Sequence, residues 1–464
     1  MLHFSTFVSM ISVKVLILFI YLAGMAALGI YSWLRIKAPQ DYFIAGKRSG
    51  VWQIAGSLLA TILGGSAILG SVNLSQHQGW ASAWYLLAAS FGLWLLIPLV
   101  GKVNRMGKFT LTNLIGQFYG TAAQKTAAII IPVAWTGIVA AQIIASAKIL
   151  FSFFNLPYES GVLISGIVFI FYTLLGGQVS IIKTDFIQSL IILSGVTLTA
   201  TLLWGMPEQV PAFNQTFPFN ANFSPIDLLI LVLTFSSTFV VGPDIYSRIF
   251  CAKDEKTARK SVVLVASILI PFAFLLAYIG MFAFSHLQHT ATDSSAALID
   301  VLNFYLPDWL AGLMAAALLS AVLSSADTTL LTSSMILSEW ITPDIDNRRS
   351  LRNTRYFIVL TGIVSILMAL KVTSIIGTLL LALAFYSGAF IVPLIAALAN
   401  LKVNKKLSIV AMICGGLIAL SGKIMGSYLN LDFGNWIVIL AFIINAAILA
   451  IPERSREGRK AKSI

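Results

Sequence analysis

Charge is scarce in this chain. Only 10% of its 464 residues are Asp, Glu, Lys or Arg, against roughly 25% in soluble domains. Hydrophobic residues make up 58%, and mean hydropathy is +0.91. That balance excludes an ordinary soluble enzyme. Cysteine is rarer still. Cys251 and Cys414 lie on separate segments, so neither a disulfide framework nor a thiolate metal site has support. Of the four histidines, His77, His286 and His289 fall in loops between apolar runs, and no zinc-ligand spacing results. Long polar stretches are missing as well. The longest connections, 206–224 and 287–307, are too short to hold a core of their own. About a dozen residues follow the last apolar run, which leaves no room for a fused kinase or sensor module.

What fills the chain is a series of apolar runs at 13–34, 51–74, 80–101, 123–154, 158–176, 179–205, 225–249, 261–286, 308–338, 355–372, 374–399, 406–426 and 433–452. Most reach the ~18 to 20 residues that cross a hydrocarbon core as a helix. The expected fold class is therefore an all-α integral membrane protein with about thirteen transmembrane helices. The run 13–34 is too long for a signal-peptide core and is read as a retained helix.

Basic residues set the expected orientation. Connections after odd-numbered runs carry Arg35, Lys37, Lys47 and Arg48, then Lys102, Arg105, Lys108 and Lys125, then Lys183. Further along come Arg248, Lys253, Lys256, Arg259 and Lys260, then Arg348, Arg349, Arg352 and Arg355, then Lys402, Lys405 and Lys406. The tail 453–464 adds Arg454, Arg456, Arg459, Lys460 and Lys462. Of the 30 Lys and Arg, only Lys14, Lys148, Lys371 and Lys423 lie elsewhere. The positive-inside rule then puts the N-terminus outside and the C-terminus in the cytoplasm of a plasma (inner) membrane. The net charge of +12 is thus a topology signal. It implies a lipid bilayer as surroundings and no nucleic-acid partner.

Four places depart from bland apolar helix. In the second run, Ala60-Thr61-Ile62-Leu63-Gly64-Gly65-Ser66-Ala67-Ile68-Leu69-Gly70 carries three glycines, each weakening a helix by about 1 kcal/mol. Broken backbone at membrane depth survives only inside protein or beside a cavity, where it offers carbonyls to cations. Close packing through small residues is the alternative. In the ninth run, Ser320, Ser324, Ser325, Asp327, Thr328, Thr329, Thr332, Ser333 and Ser334 crowd one helix. Ser324, Ser325 and Thr328 follow Ala321 at three, four and seven residues, which places them on one face. A hard cation such as sodium prefers such oxygens. The turn between the fifth and sixth runs ends in Thr184-Asp185, and an intramembrane acid marks a functional site unless it merely pairs with Lys183 at the mouth. Finally, Asp244 and Arg248 stand four apart, a spacing read as a structural pair. Lys148 is expected to snorkel to the interface.

Taken together, Asp41-Tyr42-Phe43-Ile44-Ala45-Gly46, Tyr172-Thr173…Gly176-Gly177…Thr184-Asp185…Gln188, Arg248…Ala252-Lys253-Asp254 and Ser320-Ala321-Val322-Leu323-Ser324-Ser325 resemble the sodium:solute symporter family. The resemblance runs from residue 41 through the eleventh run and rests on order and spacing. It implies a single transporter domain with a LeuT-type core of two inverted five-helix repeats. These are 51–205 and 225–400, with 13–34 and 406–452 as accessory helices and 453–464 as a cytoplasmic tail.

It also implies site residues. The shared sodium site falls on the carbonyls of Ala60, Leu63 and Ala321 and the hydroxyls of Ser324 and Ser325. A second cation site, present in some members, falls on Asp185, Asp327 and Thr328, with Asp327 standing where a hydroxyl is common. The substrate region falls on Gly64, Ser66, Ala67, Ser82, Tyr85, Trp135, Gln142, Thr238 and Phe239. No arginine is among them, which disfavours an acidic sugar. The implied function is sodium-coupled symport of a small polar organic solute, such as an amino acid or carboxylate, by alternating access. No cofactor beyond the coupling ion is implied, no catalysis, and the monomer is the expected working unit. Proton coupling through Asp185 or Asp327 is the alternative.

Overall fold

In the computed structural model, the described residues are 13–34, 38–106, 110–154, 156–206, 216–286, 298, 301–342, 347–401, 403–427, 429, 431 and 433–452, less the side chains of 106, 286 and 427. Arg35, Lys37, Lys108, His289, Lys402 and the tail 453–464 lie outside them, as do most of the connection 287–307 and residues 207–215.

The chain is helical nearly throughout. In order, α1 is Val13–Trp33, α2 Pro39–Ile44, α3 Val51–Ile62, α4 Gly65–Gln78, α5 Trp84–Leu96, α6 Val100–Met106, α7 Leu111–Tyr119, α8 Thr121–Phe154 and α9 Tyr158–Trp204. Then follow α10 Pro225–Leu231, α11 Ser237–Val241, α12 Pro243–Cys251, α13 Glu255–His286, α14 Asp308–Ile341, α15 Arg348–Ala369, α16 Ile375–Leu398, α17 Ser408–Ser427 and α18 Gly434–Ala450.

Among the described residues, ten helices are long and apolar enough to cross a membrane, against the thirteen expected. The difference has physical causes. α3 and α18 are apolar but short, and α4 and α5 run on as one apolar stretch. The fifth and sixth runs also share one helix, α9, which turns at Gly177. Gly177 has φ +54°, and a Cβ there would press into the Tyr42 ring, so only glycine permits both the turn and the approach.

α14 is the hub. It is buried along most of its length and packs against α8, α9, α1 and α3. α16 lies on α8, and α17 and α18 pair with each other against α16. The first segment of each expected repeat is interrupted. α3 and α4 part at Leu63–Gly64, where Gly64 is extended (φ −61°, ψ 166°). The stretch α10–α12 carries a π-turn at Val232–Ser236 and breaks at Gly242 (φ −70°, ψ 129°) just before Pro243. Proline has no N–H to continue the helix, so the break falls there.

Candidate sodium and solute site

A helix end leaves its last four carbonyls without helical donors. At the end of α3, hydroxyls of α14 supply two of them. Ser324 Oγ donates to the Ala60 carbonyl at 2.8 Å and lies 3.2 Å from that of Ala321. Ser325 Oγ donates to the Thr61 carbonyl at 2.8 Å. The second broken segment is treated alike. Tyr246 Oη donates to the Val240 carbonyl at 2.9 Å, and Tyr386 Oη to that of Val241.

Glycine makes the α3–α14 approach possible. A Cβ on Gly64 would strike Ser325, and one on Gly65 would strike Val322. Gln142 of α8 then pins the start of α4. Its amide nitrogen donates to Ser66 Oγ at 2.7 Å, and its oxygen accepts from Ser66 N at 3.4 Å.

Against this crossing lies a cavity of about 70 Å³, lined by Thr61, Gly64, Ser66, Ala67, Tyr85, Trp135, Gln142, Phe235, Thr238, Phe239, Asp244, Ser325 and Thr329 among others. Two donors in its wall, Trp135 Nε1 and Tyr85 Oη, are buried without a partner. Buried polar atoms are seldom left so, and both residues line a space that a polar solute can fill. Tyr85 stacks on Phe235 at 4.5 Å, and Trp135 meets Tyr386 edge-on at 4.5 Å.

One turn along α3 from the crossing sits a buried charge cluster. The Arg248 guanidinium is wholly buried. It donates to Ser57 Oγ (3.0 Å), Gln178 Oε1 (3.2 Å), Ser247 Oγ (3.0 Å), Asp185 Oδ2 (3.1 Å) and Thr328 Oγ1. Ser57 also donates to Asp185 Oδ2 at 2.5 Å. One cation thus ties α3, α9, α12 and α14 together. Asp327 accepts from Thr328 at 3.4 Å on one oxygen, while its Oδ2 and Asp185 Oδ1 have no partner.

Residues 42–415 match the family model described as the sodium:solute symporter family. The chain belongs to the sodium:solute symporter family. It is a multi-pass membrane protein that couples solute transport to sodium. The sodium/pantothenate symporter of Escherichia coli strain K12 is 26% identical over 82% of this chain and 83% of its own length. The sodium/proline symporter of Salmonella typhimurium is 24% identical over 71% and 70%. A substrate-bound, outward-open sodium-coupled sialic acid symporter superposes with a TM-score of 0.79 at 18% identity, over 95% of this chain and 96% of its own, and shares the fold.

Within this symporter, Ser324 stands between the Ala60 and Ala321 carbonyls, and Ser325 lies beside it on the Thr61 carbonyl. Leu63 caps α3 with its amide bonded back to the Leu59 carbonyl at 2.8 Å. Eight of the nine substrate-region residues line the cavity. Ser82 is the exception, and its hydroxyl closes its own turn on the Gly79 carbonyl at 2.7 Å. Asp185 is not a mouth residue paired with Lys183, whose ammonium lies 5.7 Å over the Tyr31 ring. The expected Asp244–Arg248 pair gives way to Arg248–Asp185, and Asp244 lines the cavity instead. Of the second cation site, Thr328 lies within bonding distance of Asp327, but Asp185 and Thr328 both bond Arg248. Thr61, Asp244 and Thr329 also line the cavity; Thr61 sits inside the glycine-broken stretch and Thr329 inside the hydroxyl-rich run, whereas Asp244 was expected to pair with Arg248.

Proposed function

We propose that this symporter carries a compact carboxylate-bearing solute inward with sodium held at the α3–α14 crossing. The carbonyls of Ala60 and Ala321 and the hydroxyls of Ser324 and Ser325 are the ion's ligands. The observation that carries this reading is Ser324 Oγ standing 2.8 Å from one of these carbonyls and 3.2 Å from the other. These are hard oxygen donors gathered in dry protein, which is what a hard cation needs in place of its water. The solute occupies the adjoining cavity, where Trp135 Nε1 and Tyr85 Oη meet its acceptors and Asp244 its donors. Pantothenate, proline and sialic acid, which the relatives' names give as solutes, all carry a carboxylate. The cavity is small. Its 70 Å³ holds roughly two waters at about 30 Å³ each, so its walls part to admit a solute.

Alternating access follows from the crossing. The two repeats, 51–205 and 225–400, each begin with a broken helix, as inverted-repeat transporters do. With the N-terminus outside and a monomer as the working unit, sodium enters from outside and ties α3 to α14. The tie orders the Leu63–Gly64 break and so the solute cavity beside it. One charge falling through 100 mV yields about 2.3 kcal/mol, and a tenfold sodium gradient adds about 1.4 kcal/mol. Their sum supports a several-hundred-fold accumulation of a neutral solute at one-to-one coupling.

A second reading is proton coupling through Asp327. It is favoured by the buried Oδ2 that has no partner and by Arg248 bonding the other two members of the second cation site. Uptake into proteoliposomes with sodium replaced by choline under an inward proton gradient separates the two. Full uptake without sodium sinks the sodium reading.

A further inference from the structure

A second, larger cavity of about 470 Å³ adjoins the first, and Tyr85 lines both. Its walls come from the C-terminal end of α4 (Gln78), the first turn of α10 (Asp227), the C-terminal end of α17 (Lys423) and the start of α18 (Asn435). In the proposed orientation these are outer ends, so the cavity precedes the central one on the way in. Tyr85 and the Phe235 ring stacked on it stand between the two.

Two opposite charges, Lys423 and Asp227, line this space. They act on each other electrostatically, and among the described residues no salt-bridge contact joins them. Asp227 is held in place by its capping role. Its Oδ2 accepts from Ser224 N at 2.9 Å and Ser224 Oγ at 2.7 Å. Lys423 is one of the four basic residues off the positive-inside pattern. It stands about one turn from the outer end of α17, half-buried, and lines the cavity. Tyr85 lines the wall that this cavity shares with the central one. A singly charged ligand would meet one attraction and one repulsion here. A ligand carrying both charges meets two attractions, and selectivity follows from that difference.

We propose that this cavity is an entry station for a zwitterionic solute, an amino acid or a betaine. Its carboxylate binds Lys423 and its ammonium faces Asp227 before it passes Tyr85 and Phe235. The station rests on the sodium-symport reading and narrows its solute class.

The test uses the full chain in proteoliposomes under a sodium gradient, with L-proline and glycine betaine as zwitterions and pantothenate as a plain anion. Lys423→Gln and Asp227→Asn, the latter keeping a capping oxygen, are each expected to raise the zwitterion KM about tenfold, the ratio that 1.4 kcal/mol supports. The kcat stays near wild type. Asp227→Asn improves pantothenate relative to the zwitterions, and Lys423→Arg restores them. An unchanged zwitterion KM in both charge variants overturns the station. A second arm does not depend on transport. Asn435→Cys, in a chain whose half-buried Cys414 is replaced by Ser, is labelled from outside with a methanethiosulfonate. The two zwitterions slow labelling when Lys423 is present and not when it is Gln. Labelling that neither zwitterion slows overturns the station whatever uptake shows. Protection without sodium-driven uptake keeps the station and refutes the symport reading of its solute.

Discussion

Ser324→Ala removes the hydroxyl that bridges α14 to the end of α3, and its effect on sodium can be worked from the geometry. Without the ion, that hydroxyl makes one ordinary hydrogen bond, to the Ala60 carbonyl at 2.8 Å. Such a bond contributes about 0.5–1.5 kcal/mol net, whereas a contact to a charged partner contributes about 1.5–3 kcal/mol. The substitution therefore weakens the sodium-bound state more than the sodium-free one, by roughly 1–1.5 kcal/mol. Half-saturating sodium should rise about five- to tenfold. Ser325→Ala, which frees the Thr61 carbonyl, should act similarly. The double variant need not show the product of the two, because neighbours that share partners couple. The assay is solute uptake against sodium concentration, with sodium-induced thermal stabilisation in detergent as a transport-free readout. Ser333→Ala is the control, since that hydroxyl bonds its own turn at Leu330. Wild-type sodium dependence in folded Ser324→Ala protein refutes the ligand assignment.

Three further outcomes follow from packing and burial. Gly65→Ala drives a methyl into Val322. It should cost about 1–3 kcal/mol of stability, as overpacking does, and Val322→Ala should recover part of it in thermal unfolding. Arg248→Gln leaves Asp185 buried without its ion pair and should cost about 3–5 kcal/mol. Adding Asp185→Asn should restore most of that, and a double variant no more stable than the single one would contradict the cluster's account. Trp135→Phe keeps the ring against Tyr386 and deletes an N–H that has no partner in the protein. Solute KM should rise in uptake assays while half-saturating sodium stays at its wild-type value.

Much of this protein was legible in its sequence because membranes impose local rules. Apolar length marks the spans, and glycines mark the place where α3 and α4 part. Hydroxyls spaced at three and four residues mark the face of α14 that meets the break. The Arg248 cluster was not legible in that way. Its partners Ser57, Gln178, Asp185 and Thr328 stand on three other elements, and spacing along the chain carries no trace of which acid an arginine reaches across the bundle. The local four-residue rule pointed to Asp244, and tertiary geometry overrode it. Asp244 at the cavity wall was missed for the same reason, because the break at Gly242 redirects the turn that carries it. The ten long apolar helices among the described residues differ from the thirteen expected runs where an interruption divides a segment into short pieces, or where a turn at one glycine joins two runs in one continuous helix.

The hydroxyl-to-carbonyl bonds at the α3–α14 crossing bear on turnover as well as on affinity. A carrier that has delivered its cargo must return empty. If its ion-binding carbonyls were then left bare in a dry interior, each would cost a large share of a buried hydrogen bond, and the return would become the slow leg of the cycle. Here Ser324 donates to the Ala60 carbonyl and Ser325 to its neighbour's, that of Thr61. These two bonds moor the broken helix to α14. A sodium ion at the proposed site would have to outcompete the Ser324 proton for the Ala60 carbonyl.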